Sequence, residues 1–159
     1  MHLFVLRHGI ADAQASADFD RHLTLEGRQQ FSRAVRGLQS LGIELDRVLH
    51  SPLVRAVETA ELLEPLLTGS RAVLPALADA PGELLLEALA GAGERVALVG
   101  HEPWQSQVVA WLTCGDRRLG PAFHLSKGAV VRLQGKPEAS GMHMTGYWRP
   151  DLLGALGSA

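Results

Sequence analysis

The chain has 159 residues, 47% of them hydrophobic and 20% charged, with a formal net charge of −2. That length supports one domain with a substantial core, expected over residues 1–159. The near-balanced charge argues against a nucleic-acid binder that works by bulk electrostatics, and no uncharged run approaches the length of a membrane span.

Strand and helix signals alternate from the start. Residues 2–7, with the apolar run Leu3-Phe4-Val5-Leu6, predict a buried strand that ends in Arg7-His8-Gly9. Residues 10–22, rich in Asp, Ala and Ser, read as a long loop beside that triplet, and long loops in compact domains are often functional. Thr24 is placed to cap a helix whose Phe31, Ala34, Val35, Leu38 and Leu41 follow the 3.6-residue period, with Glu26 in its first turn and Gly42 closing it. Arg47-Val48-Leu49-His50 predicts a second strand, and Ser51-Pro52 a helix start with serine at the N-cap and proline at N1. That helix would bury Leu53, Ala56, Val57, Ala60 and Leu63.

A third strand is predicted at 71–75 and a short helix at 83–90, entered through Pro81-Gly82. Val96-Ala97-Leu98-Val99 is the fourth strand, followed by Gly100-His101-Glu102 and a helix from Pro103 to about Thr113. Strands at 129–134 and 142–147 and a short C-terminal segment complete the reading. The alternation predicts an α/β fold, a three-layer α/β/α sandwich around a mostly parallel sheet.

In such a sheet, ligands sit beyond the carboxyl ends of the strands. Arg7 and His8 close the first strand, His101 follows the fourth, and Arg55 lies in the first turn after the second. If these strands are neighbours, two arginines and two histidines converge on a pocket suited to a tetrahedral dianion. One histidine would be a neutral nucleophile aimed at phosphorus and the other a donor to a phosphoryl oxygen. His8 is the better nucleophile, because Gly9 behind it permits close approach of a ligand.

Other chemistries are poorly served. Cys114 is the only cysteine, so an internal disulfide and a cysteine-rich zinc site are excluded. A Cys-x5-Arg phosphatase loop is excluded too, since Gly120 stands at the required arginine position. His2, His22, His50, His124 and His143 show no metal-ligand spacing and read as structural or exposed, with His50 notable for its place beside Ser51. No cofactor or metal is expected. The few apolar residues before Arg7 are too short for a signal peptide, and the expected setting is cytoplasmic.

Leu6-Arg7-His8-Gly9, the stretch Ser51-Pro52…Arg55-Ala56…Glu58-Thr59-Ala60 and Val99-Gly100-His101-Glu102-Pro103 together resemble the histidine phosphatase superfamily. The short chain, the Leu23-Thr24…Gly27 element and Trp148-Arg149-Pro150 resemble its SixA-like phosphohistidine phosphatase branch. The resemblance implies a phosphoglycerate-mutase-like sandwich, His8 as nucleophile, and Arg7, Arg55 and His101 as phosphate-binding and polarising groups. It also implies a phosphate or substrate contact for Arg21, beside Gly9. The implied partner is a histidine-containing phosphotransfer protein. A small phosphoester is the alternative substrate, and a non-catalytic phosphate-binding module the non-enzymatic reading. The general acid stays open among Asp79, Glu102, Asp18 and Asp20, or none. A protonated phosphohistidine ring leaves as a neutral molecule and needs no strong acid, unlike an alkoxide.

Overall fold

The computed structural model describes residues 1–14 and 17–157, so positions 15 and 16 of the predicted loop lie outside the described residues. Six strands, β1 (His2–Arg7), β2 (Leu45–His50), β3 (Leu67–Val73), β4 (Arg95–Gly100), β5 (Val130–Gly135) and β6 (Met142–Trp148), form one sheet in the order β3-β2-β4-β1-β5-β6. The pairings β3–β2, β2–β4 and β4–β1 are parallel, while β5 runs antiparallel to both β1 and β6. The helices are α1 (Leu25–Ser40), α2 (Val54–Leu62), α3 (Glu83–Leu89), α4 (Trp104–Cys114) and α5 (Pro150–Leu156). Short 3-10 turns occupy Glu64–Leu66, Pro75–Ala78 and Arg117–Phe123.

The three layers follow from strands that are apolar on both faces. Leu3 and Val5 of β1, with Val96 and Leu98 of β4, pack against Leu85 and Leu89 of α3 and Val108, Val109 and Leu112 of α4. Phe4, Leu6, Ala97 and Val99 point the other way, onto Phe31, Ala34, Val35 and Leu38 of α1, Ala56 and Ala60 of α2 and Leu153 of α5. A continuous apolar run is what a central strand covered on both sides requires. The predicted α/β/α sandwich is therefore the fold observed.

The Thr24 cap forms as predicted, its hydroxyl accepting from the Gly27 N–H at 2.9 Å. The expected helix start at Ser51-Pro52 is displaced. Helix α2 begins at Val54 after an N-cap Leu53 whose apolar side chain makes no cap, while Ser51, two residues earlier, lies against His101. Strand β3 starts at Leu67, earlier than the predicted 71–75. Its Thr68-Gly69-Ser70-Arg71 stretch is polar because it edges the sheet, and Gly69 brings its backbone onto the Asp46 carbonyl, where an added Cβ would stand 2.1 Å from the oxygen. The C-terminal segment is helix α5, docked on α1 where Gly37 has no side chain. A Cβ there would lie 2.0 Å from the Leu153 carbonyl oxygen.

Candidate active site

Because β4 lies between β1 and β2, three chain segments leave the sheet side by side. Arg7 is level with Gly100, and His50 with Val99. The ladder continues one residue further, with the His8 N–H on the Gly100 carbonyl (3.0 Å) and the Ser51 N–H on the Val99 carbonyl (2.9 Å). His8, Ser51 and His101 thus emerge together, all buried. The two imidazoles stand 5.4 Å apart between centroids.

His8 is held by its backbone neighbour. Its Nδ1 is 2.7 Å from the Gly9 carbonyl oxygen, an acceptor, so Nδ1 carries the ring proton. Nε2 then presents its lone pair and accepts from Arg55 Nε at 3.2 Å. Burial, with His101, Arg55 and Arg7 nearby, lowers the His8 pKa to about 3 despite the opposing Gly9 bond. His101 is lowered to about 4, chiefly by burial and by Arg55, with Asp18 acting against. Both rings are neutral at physiological pH.

Arg55, in the first turn of α2, aims its fork at the loop. Nη1 donates to the Asp18 carbonyl oxygen (2.5 Å) and Nη2 to Asp18 Oδ2 (2.9 Å). Arg21 braces the same residue, donating through Nη1 to Asp18 Oδ1 (3.1 Å) and through Nε to the Asp12 carbonyl (2.5 Å). Arg21 therefore reaches the cluster through Asp18, without a bond to His8. Hydrogen bonds from Arg55, helped by Arg21, hold the Asp18 carboxyl below its usual range. Its side chain is 66% exposed, which places it at the rim.

Arg7 is fixed from the opposite side. Its Nη1 donates to the Leu125 carbonyl oxygen (2.7 Å), while the Leu125 N–H donates to Glu102 Oε1 (2.8 Å). Glu102 also accepts from the Ser106 hydroxyl at 2.6 Å. The four candidate acids thus separate. Asp18 is an anion on Arg55, Glu102 is committed to Ser106 and Leu125, and Asp20 and Asp79 are exposed. Asp79 follows the Pro75–Ala78 turn beyond the end of β3.

Gly9 makes its close approach to protein, since an added Cβ would meet Leu23 Cδ2 at 3.3 Å and the Gly27 carbonyl at 3.6 Å. Gly27 in turn leaves room for the loop backbone, where a Cβ would lie 2.1 Å from the Ile10 oxygen.

Three further residues organise the site. Thr59 Oγ1 accepts from the Gly9 N–H (3.1 Å) and donates to the Arg55 carbonyl (2.7 Å), tying the His8 turn to α2. Glu58 accepts from His22 Nδ1 (2.9 Å), the Leu23 N–H (2.6 Å) and Arg28 (2.5 Å), anchoring the end of the loop. Burial works against its ionisation, but these partners outweigh it and keep the carboxyl below its ordinary value. Ser51 Oγ lies 2.7 Å from His101 Nε2. The sequence shows Glu58-Thr59-Ala60 as a motif without its roles, and Ser51 as a helix cap. His50 is buried with Nδ1 on the Ser51 carbonyl (3.0 Å), and Cys114 is exposed at the end of α4. Among the described residues, no three His, Cys, Asp or Glu side chains cluster so as to hold a metal ion.

A family model, that of the histidine phosphatase superfamily (branch 1), matches residues 3–81. The phosphohistidine phosphatase SixA of Escherichia coli (strain K12) is 34% identical over 140 residues, spanning 84% of this chain and 86% of that protein. The chain belongs to the histidine phosphatase superfamily, in its SixA-like branch. The solved structure of the protein histidine phosphatase SixA complexed with tungstate matches with a TM-score of 0.82 at 25% identity, over 95% of this chain and 98% of that one. A phosphoserine phosphatase of Entamoeba histolytica, in complex with 3-phosphoglyceric acid, shares the fold alone, with a TM-score of 0.74 at 16% identity over 96% of this chain and 98% of that one. Family membership supports a phosphatase of the histidine phosphatase type. In this SixA-like chain the family match takes in Arg7, His8 and Arg55, while His101 lies beyond it and is brought in by the pairing of β1 with β4.

Proposed function

We propose that this chain hydrolyses phosphohistidine on a protein through a covalent phosphohistidine formed on His8. The observation that carries the reading is the His8 ring, neutral and fixed at Nδ1 by Gly9, with its Nε2 lone pair beside the Arg55 guanidinium. Arg7, Arg55 and His101 would hold the phosphoryl oxygens, Arg55 releasing its Nε bond to His8 as the anion enters. His8 Nε2 forms a bond to phosphorus as the substrate's P–N bond breaks, and the electron pair leaves with the substrate imidazole. With its other nitrogen already protonated, that imidazole departs neutral. Water then attacks the phosphorylated His8, releasing inorganic phosphate and restoring the neutral ring.

The arrangement of carboxyl groups supports a P–N substrate. Of the four candidate acids, Asp18 is ionised, Glu102 is engaged by Ser106 and Leu125, and Asp20 and Asp79 are exposed, so none of these four stands in the cluster as a proton donor for an alkoxide. The likeness to the phosphohistidine phosphatase SixA supports phosphohistidine on a protein as the substrate; a histidine-containing phosphotransfer domain is the proposed partner and the cytoplasm the proposed setting. The mechanism uses no metal.

The test is transfer of ³²P from a phosphorylated phosphotransfer domain, compared with a panel of sugar and nucleotide phosphates. Acid-labile label should appear on the wild-type chain and be absent from His8→Ala, whose turnover should fall roughly a thousandfold or more. Turnover should survive EDTA. Undiminished hydrolysis by His8→Ala overturns the covalent route, and a wide preference for the small esters overturns the protein substrate.

A further inference from the structure

We infer that Ser51 is a positioning residue for the phosphoryl-transfer step: its hydroxyl donates to His101 Nε2 and so holds the ring proton on Nδ1, from which His101 donates to the phosphoryl group. The assignment rests on the functional reading above only for the identity of the acceptor. The proton placement stands on geometry.

Ser51 is wholly buried and set by β2, its N–H bonded to the Val99 carbonyl at 2.9 Å. Two groups approach its Oγ. The Leu53 N–H, a donor, points at it from 3.4 Å, and His101 Nε2 lies at 2.7 Å. Among the described residues, Nε2 is the one acceptor within reach of the hydroxyl proton. Were Nε2 instead protonated and donating to Ser51, the buried hydroxyl proton would have no acceptor. The Nδ1 lone pair, also buried and without a protein partner, would be stranded as well. Leaving a buried polar group unpaired is costly, so the arrangement with fewer of them is favoured. With the hydroxyl donating, one group is left over, the Nδ1–H of His101, and a phosphoryl oxygen is the acceptor it suits.

The two histidines therefore share a tautomer reached by opposite means. On His8 the Gly9 carbonyl takes the Nδ1 proton and leaves a lone pair at Nε2 for phosphorus. On His101 the Ser51 hydroxyl takes the Nε2 lone pair and leaves a donor at Nδ1. One ring presents a nucleophile and the other a hydrogen-bond donor, although both are neutral.

The test is ¹⁵N NMR of the imidazoles in the full chain near neutral pH, with kinetics on p-nitrophenyl phosphate as a generic probe. Wild-type His101 should show a protonated Nδ1 and a lone-pair Nε2. Ser51→Ala should shift His101 toward the Nε2-protonated form and lower kcat about tenfold, with KM within about twofold. Ser51→Thr, which restores the hydroxyl, should recover both signals. A wild-type His101 protonated at Nε2 overturns the assignment without any variant having to fold. An Ala variant with unchanged kcat, or with reduced kcat but an unmoved tautomer, overturns it as well. Failure to accept phosphohistidine while the tautomer result holds would count against the proposed substrate and leave the Ser51 assignment standing.

Discussion

His8 and His101 are poised by being kept out of water. Burial is the largest cause of their lowered pKa values, about 3 and about 4, and the arginines add to it. A nucleophilic imidazole must be unprotonated, and His8 is so throughout the physiological range. The expected pH profile follows. With substrate ionisation divided out, kcat/KM should stay flat from pH 7 to about 5 and fall only toward the His8 value. An enzyme limb near the ordinary histidine value of about 6.5 would contradict this picture. At the same scale, the meaning of Asp18 changes with its partners. Read alone it is a candidate acid, but with Arg55 and Arg21 on its oxygens it is an anion that shapes the rim.

Elements place these residues through a few tight backbone contacts. Helix α1 meets the loop at one end, where Gly27 clears the Ile10 carbonyl, and α5 further along, where Gly37 clears that of Leu153. The second contact is backbone against backbone, so a methyl group there must push α5 away. Gly37→Ala should destabilise the chain by about 1–3 kcal/mol, seen as a lower urea midpoint. An unchanged midpoint would mean that α5 does not sit on α1 in solution. The 3.6-residue stripe of α1 is legible because the helix buries one face, whereas the seven-residue α5 announces itself less clearly. The first residues of β3 escape for a related reason, since an exposed edge strand needs no apolar run.

Across the whole molecule, burying neutral histidines links stability to pH. His8, His50 and His101 all have folded-state values below that of the unfolded chain, so the unfolded state binds more protons as the pH drops. Their contribution is complete above about pH 6.5 and is lost as the pH falls through their lowered values. Urea midpoints should therefore decline from pH 7 to about 4.5, before the paired carboxylates Asp18, Asp46 and Glu58 begin to protonate. His101→Gln should flatten part of that decline. An equal slope in wild type and variant would show that His101 is not the buried neutral ring described.

The apolar strands, the Thr24 cap and the order of Arg7-His8-Gly9, Arg55 and His101 are written in local pattern, because burial on both faces and helix capping act through neighbouring residues. From these the fold class and the four central candidates could be read. What the site does with them depends on groups distant in the chain. The tertiary fold puts Ser51 against His101 and Asp18 on Arg55, and it links Glu102 to Arg7 through Leu125. Ser51-Pro52 illustrates the division. Next to a helix it reads as a cap, and its Oγ does accept from the Leu53 N–H at 3.4 Å, but beside β4 its hydroxyl proton finds an acceptor distant in the chain, His101 Nε2 at 2.7 Å. Local sequence placed that serine at a strand end, and the packing of β2 on β4 brought His101 to its hydroxyl.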